Sequence, residues 1–253
     1  MTTTETTSAE EAPDSLAERV NNRSRRPSSD AFREFMGSQW GPRPDPGITR
    51  SAVADYLPAR ATAAGEPFAG ERLVIPAGTY KVRSNDCTYR FRAYSAFAHL
   101  SGLGQEREPD SVIVLEPLPE GGHEAVLYFK PRTSRSSQEF YSDSRYGEFW
   151  VGARPSLEEV ATETGLRCEH IDTLRDALAK DAGIVRLRVV RNVDEAVEAM
   201  VNEVRLQAGL PTGEDAREAD QVLLEQGDGP VEVPSIPVGA GKVASADQGV
   251  RVA

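Results

Sequence analysis

Arg83-Ser84-Asn85-Asp86-Cys87-Thr88-Tyr89-Arg90-Phe91-Arg92-Ala93-Tyr94-Ser95-Ala96-Phe97-Ala98-His99-Leu100-Ser101-Gly102-Leu103-Gly104 packs four aromatics and three arginines into 22 residues and closes on two glycines. An apolar run, Leu73-Val74-Ile75-Pro76-Ala77-Gly78, precedes it; Val112-Ile113-Val114-Leu115 and Ala125-Val126-Leu127-Tyr128-Phe129 follow. Short β-branched and aromatic runs bounded by Gly and Pro predict buried or half-buried strands. The dense stretch is then a connection held between strands of one sheet, a common place for a surface to carry function.

On either side the patterns change. Met1 to about Arg26 holds almost nothing to bury and predicts a disordered tail. Ser28-Ser29-Asp30 offers capping oxygens to a short helix ending at Gly37 and burying Phe32, Phe35 and Met36. The prolines of Gly41–Gly47 remove donors and fix φ, so this stretch reads as a linker. Thr49 can cap a helix through Ala52, Val53, Tyr56 and Leu57, with Pro58 kinking or ending it. Gly121-Gly122 marks a hairpin-like connection.

From Pro155 the apolar period lengthens from about two to about three and a half residues. Ser156 and Glu159 form a capping box, and Gly165 stops that helix. Ile171, Leu174 and Leu178 stripe a second helix, and Ile184–Val190 reads as a further strand. Asn192 caps a third helix, with Val197, Val201 and Val204 on one face and Gly209 closing it. Strands alternating with helices predict an α/β layer architecture. Glu214–Glu225 is acidic and helix-prone, and from Gln226 onward the sequence reads as coil.

Composition narrows the function. Lys plus Arg is 29 and Asp plus Glu is 40, a net charge of −11, which argues against a nucleic-acid or anionic-membrane partner. Cys87 and Cys168 stand far apart and predict reduced thiols rather than a redox or zinc motif. The polar, acidic N-terminus lacks a signal-peptide pattern, and no run reaches the ~18 apolar residues of a membrane helix. The expectation is a soluble, cytoplasmic protein.

Catalytic motifs do not emerge. His99, His123 and His170 lack metal-ligand spacing, and read as a packing residue and two ordinary surface residues respectively. No serine sits in a nucleophile elbow, and neither cysteine has the surroundings of a catalytic thiolate. Gly102–Glu108 contains GxG without the rest of a phosphate loop, so it reads as a turn. Tyr89, Phe91 and Phe97 read as packing residues, and Arg90 and Arg92 as loop anchors bonding carboxylates or carbonyls.

The strand at Leu73–Pro76, the turn RSND at Arg83–Asp86, the segment TYRFRAYSAFAHLSGL and EFWVG at Glu148–Gly152 resemble the N-terminal domain of Xaa-Pro aminopeptidases (aminopeptidase P). The resemblance runs in register from about Ile48 to Gly209. It implies an α/β fold, a mixed β-sheet flanked by helices with a ribonuclease H-like motif. It divides the chain into a tail (1–27), a short helix and Pro-rich linker (28–47), the domain (48–210), and a linker remnant with a coil-like tail (211–253).

Activity in that family uses two manganese ions held by Asp, Asp, His, Glu and Glu of a following metallopeptidase domain, which has no counterpart in this sequence. The expectation is therefore no catalytic and no metal-binding residue here, and no turnover by this chain alone. The resemblance implies that Asp86 faces the substrate's amino end and that Trp150 lies near a neighbouring subunit's substrate groove. Read from the residues alone, Asp86 is an Asx-turn residue and Trp150 a core tryptophan. It further implies a homo-oligomer, and a peptide substrate only in a full-length context. Two other functions stand beside this one: an orphan peptide- or protein-binding module, and a remnant of an interrupted gene.

Overall fold

The computed structural model describes residues 29–213 except Asp86. Both expected tails, apart from residues 211–213 of the second, lie outside the described residues. Seven strands run β1 (Glu71–Pro76), β2 (Val82–Ser84), β3 (Cys87–Thr88), β4 (Val112–Pro117), β5 (His123–Phe129), β6 (Arg167–His170) and β7 (Arg186–Val189). The α-helices are α1 (Asp30–Gly37), α2 (Leu57–Gly65), α3 (Ser95–Ser101), α4 (Gln138–Ser142), α5 (Glu148–Val151), α6 (Leu157–Thr164), α7 (Leu174–Ala179) and α8 (Glu195–Gln207).

Five strands form one mixed sheet in the order β6-β5-β4-β1-β7. The β1–β4 and β4–β5 pairs are antiparallel, while β1–β7 and β5–β6 are parallel. Alternate residues of each strand point to opposite faces. Leu73, Ile75, Ile113, Leu115, Leu127 and Phe129 enter one core, which also takes Ala61, Phe97, Leu100 and Val160 from α2, α3 and α6. Val74, Val114, Val126 and Val189 enter the other, against Leu174, Leu178, Val197, Val201 and Val204 of α7 and α8. Burial on both faces is why these strands read as continuous apolar runs rather than as alternating ones.

Two charged pairs interrupt this apolar frame. Arg188 of β7 is fully buried and forms an ion pair with Glu71, which is 13% exposed, across the parallel β1–β7 pair. On the opposite face Arg72 donates from Nε to Glu116 of β4 at 2.6 Å and from Nη1 to the Leu178 carbonyl at 3.3 Å. Adjacent positions of β1 thus carry opposite charges to opposite faces, each met by a neighbouring strand. A one-residue slip would send each charge into apolar packing.

The expected caps recur with corrections. Ser29 accepts from Phe32 N–H at 3.2 Å, the Ser156–Glu159 capping box is complete, and Gly165 ends α6 with φ 72°. Pro58 neither kinks nor ends its helix. It lies in the first turn of α2, where a missing N–H costs nothing, behind a 3-10 turn Ala52–Tyr56 capped by Ser51 rather than Thr49. Asp194, not Asn192, caps α8, its carboxylate accepting from Ala196 and Val197. The connection at Arg83–Gly104 contains its own two-stranded hairpin, β2–β3, followed by α3. The edge strand β6 escaped the pattern because Arg167-Cys168-Glu169-His170 is short and polar.

Burial also departs from expectation at single residues. Phe35 is 70% exposed, since α1 packs on a peripheral segment rather than on the core. Tyr89 is exposed while Phe91 and Phe97 are buried. His123 is no surface residue: it is buried at the start of β5, its Nε2 lies 2.8 Å from the Glu71 carbonyl, and its ring fills the space beside Gly65.

Replacing Arg188 by Leu leaves Glu71 with a charge facing an apolar layer and should cost about 3–5 kcal/mol in urea unfolding. The double variant Glu71→Leu/Arg188→Leu should recover much of that loss. A single-variant loss below about 1 kcal/mol would mean that the pair behaves like a surface ion pair.

Candidate functional site

Outside the sheet, residues 38–50 run without regular secondary structure across the segment 131–155, which carries α4 and α5. The stretch read as a linker is therefore a strap with defined contacts. Arg43 donates from Nε to Glu148 at 3.1 Å and from Nη2 to the Thr133 carbonyl at 2.7 Å. Trp40 meets Phe140 edge-on at 4.9 Å, and Phe149 at 6.4 Å.

Trp150 lies on α5. Gly147 opens that helix so close to the end of α4 that a Cβ there would sit 2.5–2.6 Å from three carbonyl oxygens. The indole Nε1–H of Trp150 donates to the Tyr141 carbonyl at 2.6 Å, yet the residue is 58% exposed. Phe149 packs on it edge-on at 5.8 Å and is also exposed, as is Val151. The core reading of Trp150 is thus excluded, and Trp150 belongs to an exposed aromatic patch with Trp40 and Phe149.

Asp86 lies outside the described residues. The strands on either side of it in sequence, β2 and β3, pair antiparallel, and all of their residues are exposed. Arg90 forms an ion pair with Glu106, and Arg92 donates to Gln105 Oε1 at 2.7 Å, tying the segment after the hairpin to the loop before β4. These arginines and Trp150 are not brought into one site.

Between the strap and residues 145–155 lies a cleft of about 490 Å³, which the sequence reading missed. Its walls are knit by ion pairs. Arg145 donates from Nε to Asp110 at 2.9 Å, Tyr146 donates its hydroxyl to the same carboxylate, and Arg154 reaches Glu108 at 3.4 Å and the Lys130 carbonyl at 2.5 Å. Arg132 bonds Glu159, so the carboxylate that completes the capping box also faces the cleft. Burial pushes the Glu108 carboxyl above its ordinary range, against the pull of Arg154 and Arg107. The hydrogen bond from Arg132 holds the Glu159 carboxyl below that range despite its burial. The sequence did hold a signal, the run of Arg132, Arg135, Arg145 and Arg154, but spacing alone could not say that they converge.

Reactive groups do not converge. Burial pushes the Cys168 thiol up to about 12, which leaves little thiolate at neutral pH. Burial and Arg60 hold the His99 imidazole below its ordinary value. Among the described residues no three His, Cys, Asp or Glu side chains are grouped to hold a metal ion, so these residues do not fit the manganese pair that the resemblance implies. No helix among them is long and apolar enough to cross a membrane.

A mixed five-stranded sheet between helical layers, with loop-borne surfaces outside it, defines an α/β domain. Residues 56–186, just over half of the 253, match the family Aminopeptidase P, N-terminal domain, and the chain belongs to that family. It is 41% identical over 167 residues to Xaa-Pro aminopeptidase 2 of Streptomyces coelicolor, covering 66% of this chain and 34% of that protein. To Xaa-Pro aminopeptidase 1 of the same organism it is 41% identical over 176 residues, covering 69% and 34%. The chain thus spans about a third of the length of these relatives. Among solved structures, aminopeptidase P from E. coli in a low-pH form aligns with TM-score 0.50 at 20% identity, over 61% of this chain and 32% of that one. Proline aminopeptidase P II from Yersinia pestis aligns with TM-score 0.50 at 22% identity, over 62% and 34%. These two share the fold.

Replacing Glu159 by Gln should cost roughly 1.5–3 kcal/mol near neutral pH, since a charged hydrogen-bond acceptor is lost. A carboxyl held low in the folded state contributes stability above its unfolded pKa of about 4.3, and loses it as pH falls through the folded value. The gap between wild type and variant in thermal unfolding should therefore be widest above about pH 5 and close on acidification. A gap independent of pH would remove the carboxylate from the explanation.

Proposed function

We propose that this chain is the non-catalytic N-terminal domain of a manganese-dependent Xaa-Pro aminopeptidase, an enzyme that removes an N-terminal residue preceding proline. Its own work is to join subunits and to shape the substrate entrance. The observation that carries this reading is the 41% identity to two Xaa-Pro aminopeptidases over about a third of each. Two features support it: the exposed position of Trp150 and its aromatic neighbours, and the exposed strands β2 and β3 that flank Asp86 in sequence. Large aromatics half-open to solvent are common anchors of association.

Two measurements test this reading. In sedimentation, Trp150→Ala should weaken self-association at least about tenfold, the scale of one interface anchor, while the melting temperature stays within a few degrees. A monomeric wild type, or a variant that simply unfolds, would count against the association surface. A hybrid in which residues 48–210 replace the matching part of the Streptomyces coelicolor Xaa-Pro aminopeptidase 2 should release the first residue of Xaa-Pro peptides, and Asp86→Ala in it should raise KM. The unfused chain should show no release with manganese added. Turnover by the unfused chain, lost with chelator, would overturn the reading.

A further inference from the structure

The cleft between the strap and residues 145–155 contains one cation that its own ion pairs leave over. Among the described residues, Arg43, Arg107, Arg132, Arg145 and Arg154 each hold a carboxylate. Glu106, also on the cleft wall, is paired with Arg90. Arg135 lines the same cleft and has no carboxylate partner among the described residues. Its Nη1–H donates to the Gly41 carbonyl at 2.6 Å, and its guanidinium carbon lies 5.9 Å from the Trp40 ring centroid. Its Nε–H is buried with no acceptor.

We propose that this cleft binds a single carboxylate carried on an apolar body, with Arg135 as its anchor. Guanidinium groups suit carboxylates because two parallel N–H donors match two oxygens. One uncompensated cation calls for a monoanion, since a second negative charge would face Glu106, Glu108 and Glu148 without a partner. Pro44, Pro46, Ile48, Tyr80 and Val151 supply apolar walls beside the charge. A peptide C-terminus ending in an apolar residue has this chemistry: an α-carboxylate next to a hydrocarbon side chain. The proposal rests on Arg135 and the cleft walls and not on the aminopeptidase reading, although Glu148 and Val151 share α5 with Trp150.

The test is titration of the whole chain followed by amide NMR, with three probes. N-acetylleucine offers carboxylate and side chain, N-acetylleucinamide the side chain alone, and acetate the carboxylate alone. N-acetylleucine should shift resonances of residues 40–48 and 132–136 saturably, and the other two should bind at least about tenfold more weakly, the loss expected for one charge-assisted contact. Arg135→Gln should weaken N-acetylleucine by a similar factor, while Arg175→Gln, an equal loss of charge at an exposed ion pair outside the cleft, should not. Equal binding of the amide, no saturation, shifts outside the cleft, or unchanged affinity in a folded Arg135→Gln variant would each overturn the proposal. Should Arg135→Gln fail to fold, the comparison of the three probes on the wild type still decides it.

Discussion

The Glu71–Arg188 pair is the constraint on which the sheet depends. A guanidinium with no exposure can persist in a hydrophobic layer only while a carboxylate and further acceptors meet it. That condition fixes β7 beside β1, in parallel, and in one register. Arg72 repeats the arrangement on the other face, reaching β4 and the end of α7. Apolar packing alone would tolerate several pairings among valine- and leucine-rich strands, whereas two opposed charges on successive residues of β1 disfavour all but one. The helices follow, because each core needs a cover and α7 and α8 flank the strand that carries Arg188.

The periphery is built by different means. Strap and segment 131–155 meet through arginines, carboxylates and edge-on aromatics, with their largest side chains still open to water. Exposed ion pairs contribute little stability each, so such a surface holds its shape through many directed contacts at once. Glycine enters where backbone must approach backbone. At Gly147 the entry to α5 crosses three carbonyls, a path no larger residue could take without displacing Trp150. The position of the tryptophan is thus set by backbone geometry and a single indole bond rather than by burial.

The sheet and most of its helices were legible because two-sided burial leaves long apolar runs, and caps such as Ser156 with Glu159 leave local signatures. What escaped was whatever depended on partners distant in sequence. His123 follows two turn glycines and reads as a loop residue, and only the carbonyl of Glu71 and the space beside Gly65 make it a core residue. β6 has four residues with no apolar alternation, and it becomes a strand because β5 offers an edge. Gly41–Gly47 reads correctly as neither helix nor strand, yet absence of secondary structure was mistaken for absence of contact. The cleft was illegible for the same reason, since its arginines come from segments up to 111 positions apart, Arg43 to Arg154.

That division between frame and periphery bears on how such a domain can work. In the described core the Glu71 and Arg188 charges are paired, and burial holds the Cys168 thiol protonated. The hairpin, the aromatic patch and the Arg135 cleft instead sit on loops and short helices outside the sheet. Changes there away from buried contacts shift stability by only a few tenths of a kcal/mol in general, against several for the core. The surfaces proposed to carry function and the frame that folds are therefore separable in this molecule. A frame that tolerates change at its rim can present new surfaces to a partner domain, a neighbouring subunit or a peptide without renegotiating the ion pairs that hold β1 in place.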